Sequence, residues 1–313
     1  MLKVVEAIVG SQATDIMSAE LIQRWLKFAA VSEKSIATYS NCLKQLQRYF
    51  LSNAISKPTR ADLENWRDEL ISSGKSASTV ALYLTAAKLF FRFLAQECLY
   101  PNIADNLKNR VRLSHAHKRD ALSVDQAREL IKATEGKNLL ALRDRSITAL
   151  LLTTGVRSIE IVRANVADIR YSRGNAFLYV QGKGRFDKSE CVLIPASVMK
   201  LLQAYLKARG KFSANEPLFI SLSRRNYGKR LDTQSVRKMI KSNLRKIGLD
   251  APTVTCHSLR HTSACIMFEE KVALTDIQMV LRHKSVDTTM IYLNTINRQK
   301  NLAENIVAQV LRI

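Results

Sequence analysis

Apolar positions recur with helical period along most of the chain. "AELIQRWLKFAA" reads as a short amphipathic helix, and "SEKSIATYSNCLKQLQRYFLSN" as a longer one with Ile36, Tyr39, Leu43, Leu46 and Phe50 on one stripe. "TRADLENWRDELISSG" begins with a threonine cap and stops at Gly74. "SASTVALYLTAAKLFFRFLAQEC" is apolar around most of its girth, as expected of the central helix of a small bundle. The pattern predicts a four-helix domain over residues 18–109 behind an extension of residues 1–17, with "YPNIADNLKNRV" as its extended exit.

Residues 110–121, "RVRLSHAHKRDA", are basic and lack apolar periodicity, so they read as a linker in which His115 and His117 are solvated or near phosphate. A second domain, residues 122–313, opens with the capping box Ser123 to Gln126. "LALRDRSITALLLTTG" is a buried helix ending at Gly155, and "NAFLYVQGKGRFDKSECVLIP" is the one clear strand region, two β-rich runs around a Gly-Lys-Gly-Arg turn. Helices return at "SVMKLLQAYLKARG" and "TQSVRKMIKSNLRKIG" and continue to the end. The fold class is therefore mainly α with a small β-sheet, in two domains.

Charge narrows the class of partner. The 313 residues carry a net charge of +22, which predicts a polyanionic partner, nucleic acid before an anionic membrane surface. Residues 1–112 hold 15 Lys+Arg against 10 Asp+Glu and residues 113–313 hold 34 against 17, so the backbone-binding surface is expected mostly in the second domain. The five cysteines form no C-x-x-C pair, which argues for a reducing compartment and against a zinc site or disulfide framework. With no signal-peptide pattern and no apolar run of about 18 residues, a cytoplasmic protein without membrane contact is expected.

The chemistry gathers toward the C-terminus. Arg157 follows a glycine in "TTGVRSIEI", and Lys183 sits at the strand-pair tip "QGKGR". His257 and Arg260, in "TVTCHSLRHTSA", share a helix face. His283 and Tyr292 stand in "LRHKSVDTTMIYLN". No acidic cluster that could hold Mg²⁺ accompanies them. This inventory suits metal-free phosphoryl transfer. Two guanidiniums meet charge on the non-bridging oxygens, a tyrosine conserves bond energy in a covalent ester, a lysine protonates the leaving oxygen, and imidazoles hydrogen-bond the phosphate and take the tyrosine proton. Singly, an H-x-x-R pair or a late tyrosine is ordinary; the specificity lies in their ordered conjunction within a basic chain.

In these boxes the chain resembles the tyrosine recombinase (lambda-integrase-like) family, nearest the short Xer-type and mobile-element integrases. The resemblance covers the whole chain. It implies a helical, SAM-like core-binding domain before a catalytic domain of the DNA breaking-rejoining fold. It also implies catalytic roles for Arg157, Lys183, His257, Arg260, His283 and the nucleophile Tyr292, with Glu160 supporting; His261 is read separately, as packing or hydrogen-bonding behind the site. The reaction implied is cleavage of duplex DNA at specific core sites through a 3′-phosphotyrosyl bond, and strand exchange through a Holliday junction, without metal, cofactor or ATP. One position departs from the pattern: Arg282 stands where the family usually has Gly before the third-box histidine, and a further phosphate contact is expected from it.

Further DNA contacts are expected from the basic stretch "RRNYGKRLDTQSVRKMIKSNLRKIG". Arg237, Lys241 and Arg245 recur every fourth residue on a helix whose apolar side is Val236, Ile240 and Leu244, with Arg224, Arg225 and Lys229 on the DNA backbone. The final segment "NLAENIVAQVLRI" carries a stripe of Leu302, Ile306, Val307, Val310 and Leu311. It folds onto its own domain or, as the family implies, passes to a neighbouring protomer to couple a homotetramer. A mobile-element integrase is the reading preferred from "DTTMIYLNTINRQKN"; an Xer-type resolvase of chromosome or plasmid dimers, a type IB topoisomerase-like relaxase and a non-catalytic DNA-binding paralogue are the alternatives.

Overall fold

The computed structural model describes residues 16–28, 33–110, 120–182, 187–283, 285, 286, 290 and 303–311. The chain divides into two compact units, Met1–Ser114 and His115–Ile313.

The first unit is a helical bundle of α1 (Ala19–Phe28), α2 (Glu33–Ser52), α3 (Arg60–Ser72) and α4 (Ala77–Gln96). Its starts are set locally. Thr59 caps α3 in a reciprocal box with Asp62, and Ser76 accepts from the N–H of Thr79 at the head of α4. Leu43, Leu46 and Phe50 of the expected α2 stripe are buried, while Ile36 and Tyr39 pack at the edge of the same core. Contrary to the sequence-based expectation, α4 is long and apolar enough by composition to cross a membrane. It is a core helix: Val80, Leu84, Ala87, Phe90, Phe91 and Leu94 are all buried in the bundle, and Trp25 meets Phe90 edge-on at 5.5 Å.

The second unit is built on α6 (Leu139–Thr154), which buries residues on every side, from Arg143 to Thr154. The expected box of Ser123 and Gln126 starts α5 (Val124–Lys132) before it. After the short α7 (Ser158–Arg163) comes a three-stranded antiparallel sheet in the order β1 (Ile169–Ser172), β2 (Asn175–Val180), β3 (Glu190–Ile194). Its registers include Leu178 opposite both Ile169 and Val192. The sequence pattern supplied β2 and β3 but not β1. That edge strand buries nothing fully and its last three residues are exposed, so it shows no apolar alternation. The β1–β2 turn, Arg173-Gly174, has positive φ at both residues, as tight hairpins require. Then follow α8 (Ala196–Arg209), α9 (Thr233–Lys246), α10 (Cys256–Glu269), α11 (Leu274–Leu281) and α12 (Ala303–Leu311). The unit's main core joins Leu150, Leu178, Leu202, Ile240 and Leu259, which ties α6, β2, α8, α9 and α10 together.

Candidate active site

Three segments far apart in sequence end at one place. The first is the exit of α6. Gly155 closes that helix in the left-handed conformation, φ 59°, and a Cβ there would stand 2.5 Å from Leu281 Cδ2. Both the turn and the close approach select glycine. Two residues on, Arg157 is the N-cap of α7. Its N–H donates to Glu160 Oε2 at 2.8 Å and its Nη1 to Oε1 at 2.9 Å. Glu160 is fully buried while the Arg157 side chain is 31% exposed, so a buried carboxylate orients a guanidinium that still reaches solvent.

The second segment is the head of α10. Thr255 caps it, accepting from the N–H of His257, and donates its own N–H to Ser258 Oγ. His257 is exposed and Arg260, one turn on, is 2% exposed. Arg260 donates from Nη1 to the carbonyl of Gly155 and from Nη2 to the carbonyl of Leu281. It thus bridges the first segment to the third.

The third segment is the end of α11. Arg282 is its C-cap, with φ 55° and ψ 49°. His283 is buried; its N–H donates to the Gln278 carbonyl at 3.1 Å, and Gln278 Nε2 donates to the His283 carbonyl at 3.1 Å. Burial pushes the His283 imidazole down to about 3, and the positive charges of Arg260, Arg157, His257 and Arg282 act in the same direction. The imidazole is therefore neutral at pH 7. Three guanidiniums and His257 thus act on the His283 imidazole, and the buried Glu160 pairs with two of those guanidiniums, an excess of positive charge that can receive an anion.

Lys183 and Tyr292 lie outside the described residues, as do His115 and His117. The base of the hairpin that carries Lys183 is described. Arg163, the last residue of α7, donates from Nη1 to the Gly182 carbonyl at 3.1 Å. Lys188 Nζ donates to the Arg163 carbonyl at 3.3 Å and pairs with Asp168. Both strands entering the turn are thereby tied to the helix that starts at Arg157. Among the described residues no group of three or more His, Cys, Asp or Glu could hold a metal ion.

His261 is buried on α10 with Nδ1 at 3.6 Å from Cys265 Sγ. Arg224, Arg225, Lys229 and Arg237 are exposed. Lys241 is half-buried, and its Nζ donates to the Ala251 carbonyl at 2.9 Å. Asp250 takes Lys241 at 3.1 Å and Arg245 at 2.9 Å, and hydrogen bonds from Arg245 and Lys241 hold its carboxyl below the usual range. Those two cations thus clasp the loop after α9, while Arg237 remains on its outer face. Arg282, expected on a phosphate, instead turns inward: its side chain is 6% exposed and its Nη2 donates to Glu160 Oε2 at 2.6 Å. A fully buried carboxylate gains a second charge-assisted partner on an oxygen that otherwise takes only the Arg157 N–H. Gln278 and Glu190 join the site without a signal in the sequence motifs. Gln278 acts on His283 five positions away at the same helix end, and Glu190 reaches Arg282 across the fold from β3.

The phage integrase family model matches residues 120–298, and that of the phage integrase N-terminal SAM-like domain matches residues 22–98. The chain belongs to this family of tyrosine recombinases. Among curated relatives it is similar to the tyrosine recombinase XerD of Staphylococcus aureus, 28% identical over 287 residues, which cover 87% of this chain and 92% of that protein. XerD of Halalkalibacterium halodurans is 27% identical over 285 residues, covering 87% and 91%. Among solved structures it resembles the XerH site-specific recombinase in a post-cleavage complex with palindromic difH substrate, with a TM-score of 0.70, 19% identity and coverage of 93% of this chain and 84% of that one. It also resembles a lambda integrase tetramer bound to a Holliday junction, with a TM-score of 0.66, 19% identity and coverage of 93% and 80%. At these identities the structural likeness is one of fold.

Proposed function

We propose that the protein is a site-specific DNA recombinase of a mobile element, acting in the cytoplasm as a homotetramer on duplex core sites. The observation that carries the reading is the convergence of Arg157, His257, Arg260 and His283 from three separate segments. Arg157 and Arg260 hold the non-bridging oxygens of the scissile phosphate and meet the charge that grows there in the transition state. His257 and neutral His283 hydrogen-bond the same group. The bound phosphate's negative charge acts on His283 against the nearby cations, while burial keeps the imidazole neutral. Tyr292 attacks phosphorus, its proton passing to a nearby base; the phosphotyrosyl bond forms as the bond to the 5′-oxygen breaks, and Lys183 protonates that leaving oxygen. Glu160 and His261 support the site from behind.

Arg224, Arg225, Lys229 and Arg237 contact DNA, with Lys241 and Arg245 securing the helix and loop beside them. The C-terminal helix passes to a neighbouring protomer; in α12 Val310 and Leu311 are exposed, which suits such an exchange. Five free cysteines suit a reducing compartment. A second reading, an Xer-type recombinase that resolves chromosome or plasmid dimers, is favoured by the likeness to XerD along 87% of the chain.

Tyr292→Phe tests the chemistry. The variant should bind DNA normally and form no covalent adduct on a nicked duplex resolved on a denaturing gel, since only the nucleophilic oxygen is lost. An adduct formed by Tyr292→Phe refutes the nucleophile. Sequencing the DNA trapped on the wild-type protein separates the two biological readings, because element ends and a chromosomal or plasmid resolution site differ in position.

A further inference from the structure

Arg282 occupies the left-handed region, φ 55° and ψ 49°, at the end of α11. A side chain there crowds the following carbonyl, and glycine is the usual occupant. The position thus favours glycine on backbone grounds, and an arginine must contribute through its side chain. That side chain crosses to the first segment. Nη2 donates to Glu160 Oε2 at 2.6 Å, Nη1 to the Val280 carbonyl at 3.0 Å, and Nε lies 3.7 Å from Glu190 Oε2 on β3. The other oxygen of Glu160 takes Arg157 Nη1 at 2.9 Å, while Oε2 also accepts the Arg157 N–H at 2.8 Å, so the guanidinium of Arg157 meets one oxygen only. One fully buried carboxylate is therefore divided between Arg157 and Arg282.

We propose that Arg282 is a positioning residue: by occupying Glu160 Oε2 it limits the hold of that carboxylate on Arg157, and it fastens the turn bearing His283 to the helix that Arg157 caps. A buried carboxylate facing a single guanidinium draws it into a two-pronged pair, which would engage the Arg157 fork at the expense of a phosphate. With Arg282 on Oε2, Arg157 makes one side-chain bond to Glu160 and keeps donors for substrate. The same link spans 122 positions of sequence and couples two groups assigned to one phosphate. Glu190 on β3 lies within reach of the excess positive charge. This inference rests on the assignment of Arg157 and His283 to the scissile phosphate.

The test uses the full-length protein and a nicked duplex bearing the sequence first trapped on the wild type, with single-turnover adduct formation and duplex affinity both measured. Arg282→Gly should keep affinity within about twofold, because no phosphate contact is lost, and should slow cleavage about tenfold or more. In a Glu160→Gln background the same change should cost little further, since Arg282 acts through that carboxylate. Arg282→Lys should restore part of the rate by returning the charge without the fork. Arg282→Gln, similar in reach but uncharged, should be slow like the glycine variant, and decides the matter if Arg282→Gly does not fold. Unchanged cleavage in Arg282→Gly or Arg282→Gln overturns the proposal. So do equal losses in both backgrounds with a shallower dependence of affinity on salt, the signature of a direct phosphate contact. If the wild type forms no adduct, or Arg157→Ala and His283→Ala cleave normally, the site assignment fails instead.

Discussion

Replacing Arg260 by alanine should slow cleavage far more than it weakens binding. The side chain is 2% exposed and donates to the carbonyls of Gly155 and Leu281. Its loss leaves two buried carbonyls without those donors, at about 1–3 kcal/mol each. It also removes one of the cations crowding His283, which returns a part of that cost. A net loss of about 2–4 kcal/mol of stability is expected, visible as a lower melting temperature in protein free of DNA. The catalytic loss is separate. A charge-assisted contact to the developing phosphorane is worth on the order of 3 kcal/mol, hence about a hundredfold or more in cleavage rate. DNA affinity should fall far less, because exposed cations such as Arg224, Arg225 and Arg237 remain. The assay is single-turnover adduct formation at saturating protein, at a temperature where a melting curve shows the variant folded. If folded Arg260→Ala cleaves within about threefold of wild type, or if its loss follows the unfolded fraction alone, transition-state stabilisation by Arg260 is refuted.

Chelation should leave cleavage intact; loss of activity in EDTA, restored by Mg²⁺, would sink a mechanism that relies on guanidiniums. The lowered pKa of His283 sets a pH dependence: the unfolded chain binds a proton below about pH 6.5 that the folded site refuses until about 3, so stability is fully present above that window and lost as pH falls through it. The slope is about 1.4 kcal/mol per pH unit from this group, and His283→Asn should flatten the acid limb of a melting-temperature profile; an unchanged limb contradicts the assignment. Deleting residues 301–313 should preserve binding to a half-site and abolish cooperative pairing if the last helix docks on a neighbour. A large drop in the melting temperature of the free monomer, with cooperativity unchanged, would rule that out.

Local signals in the sequence were specific where one side chain meets the backbone of its own segment. The Ser123–Gln126 box and the cap at Thr59 involve partners within a few positions, and the stop at Gly155 is the left-handed conformation of a single residue, so local sequence reveals them. The strand β1 was invisible because its residues pair through their backbone and bury almost nothing. The site was legible as a set of residue types in order, Arg157 through His283, but not as a network. The partner of Arg282 lies 122 residues away, and a buried carboxylate cannot be told from an exposed one by its letter. Lys241 and Arg245 show the same limit. Helical spacing set them on one outward face, yet Asp250 and the loop after α9 engage both.

The two carbonyls that Arg260 meets are those of residues ending separate helices, Gly155 at the exit of α6 and Leu281 at the last turn of α11. Each helix presents the negative end of its dipole there. The guanidinium plane is thus fixed by two main-chain acceptors that no side-chain rotation can remove. Its ordering cost falls on folding, and little of it is left to the encounter with DNA. The two partial negative charges also offset part of the cation's own charge. In the proposed reaction an arginine held this way needs no rearrangement as charge grows on the phosphate, so its contribution falls on the rate of cleavage more than on the grip on DNA that is not to be cut.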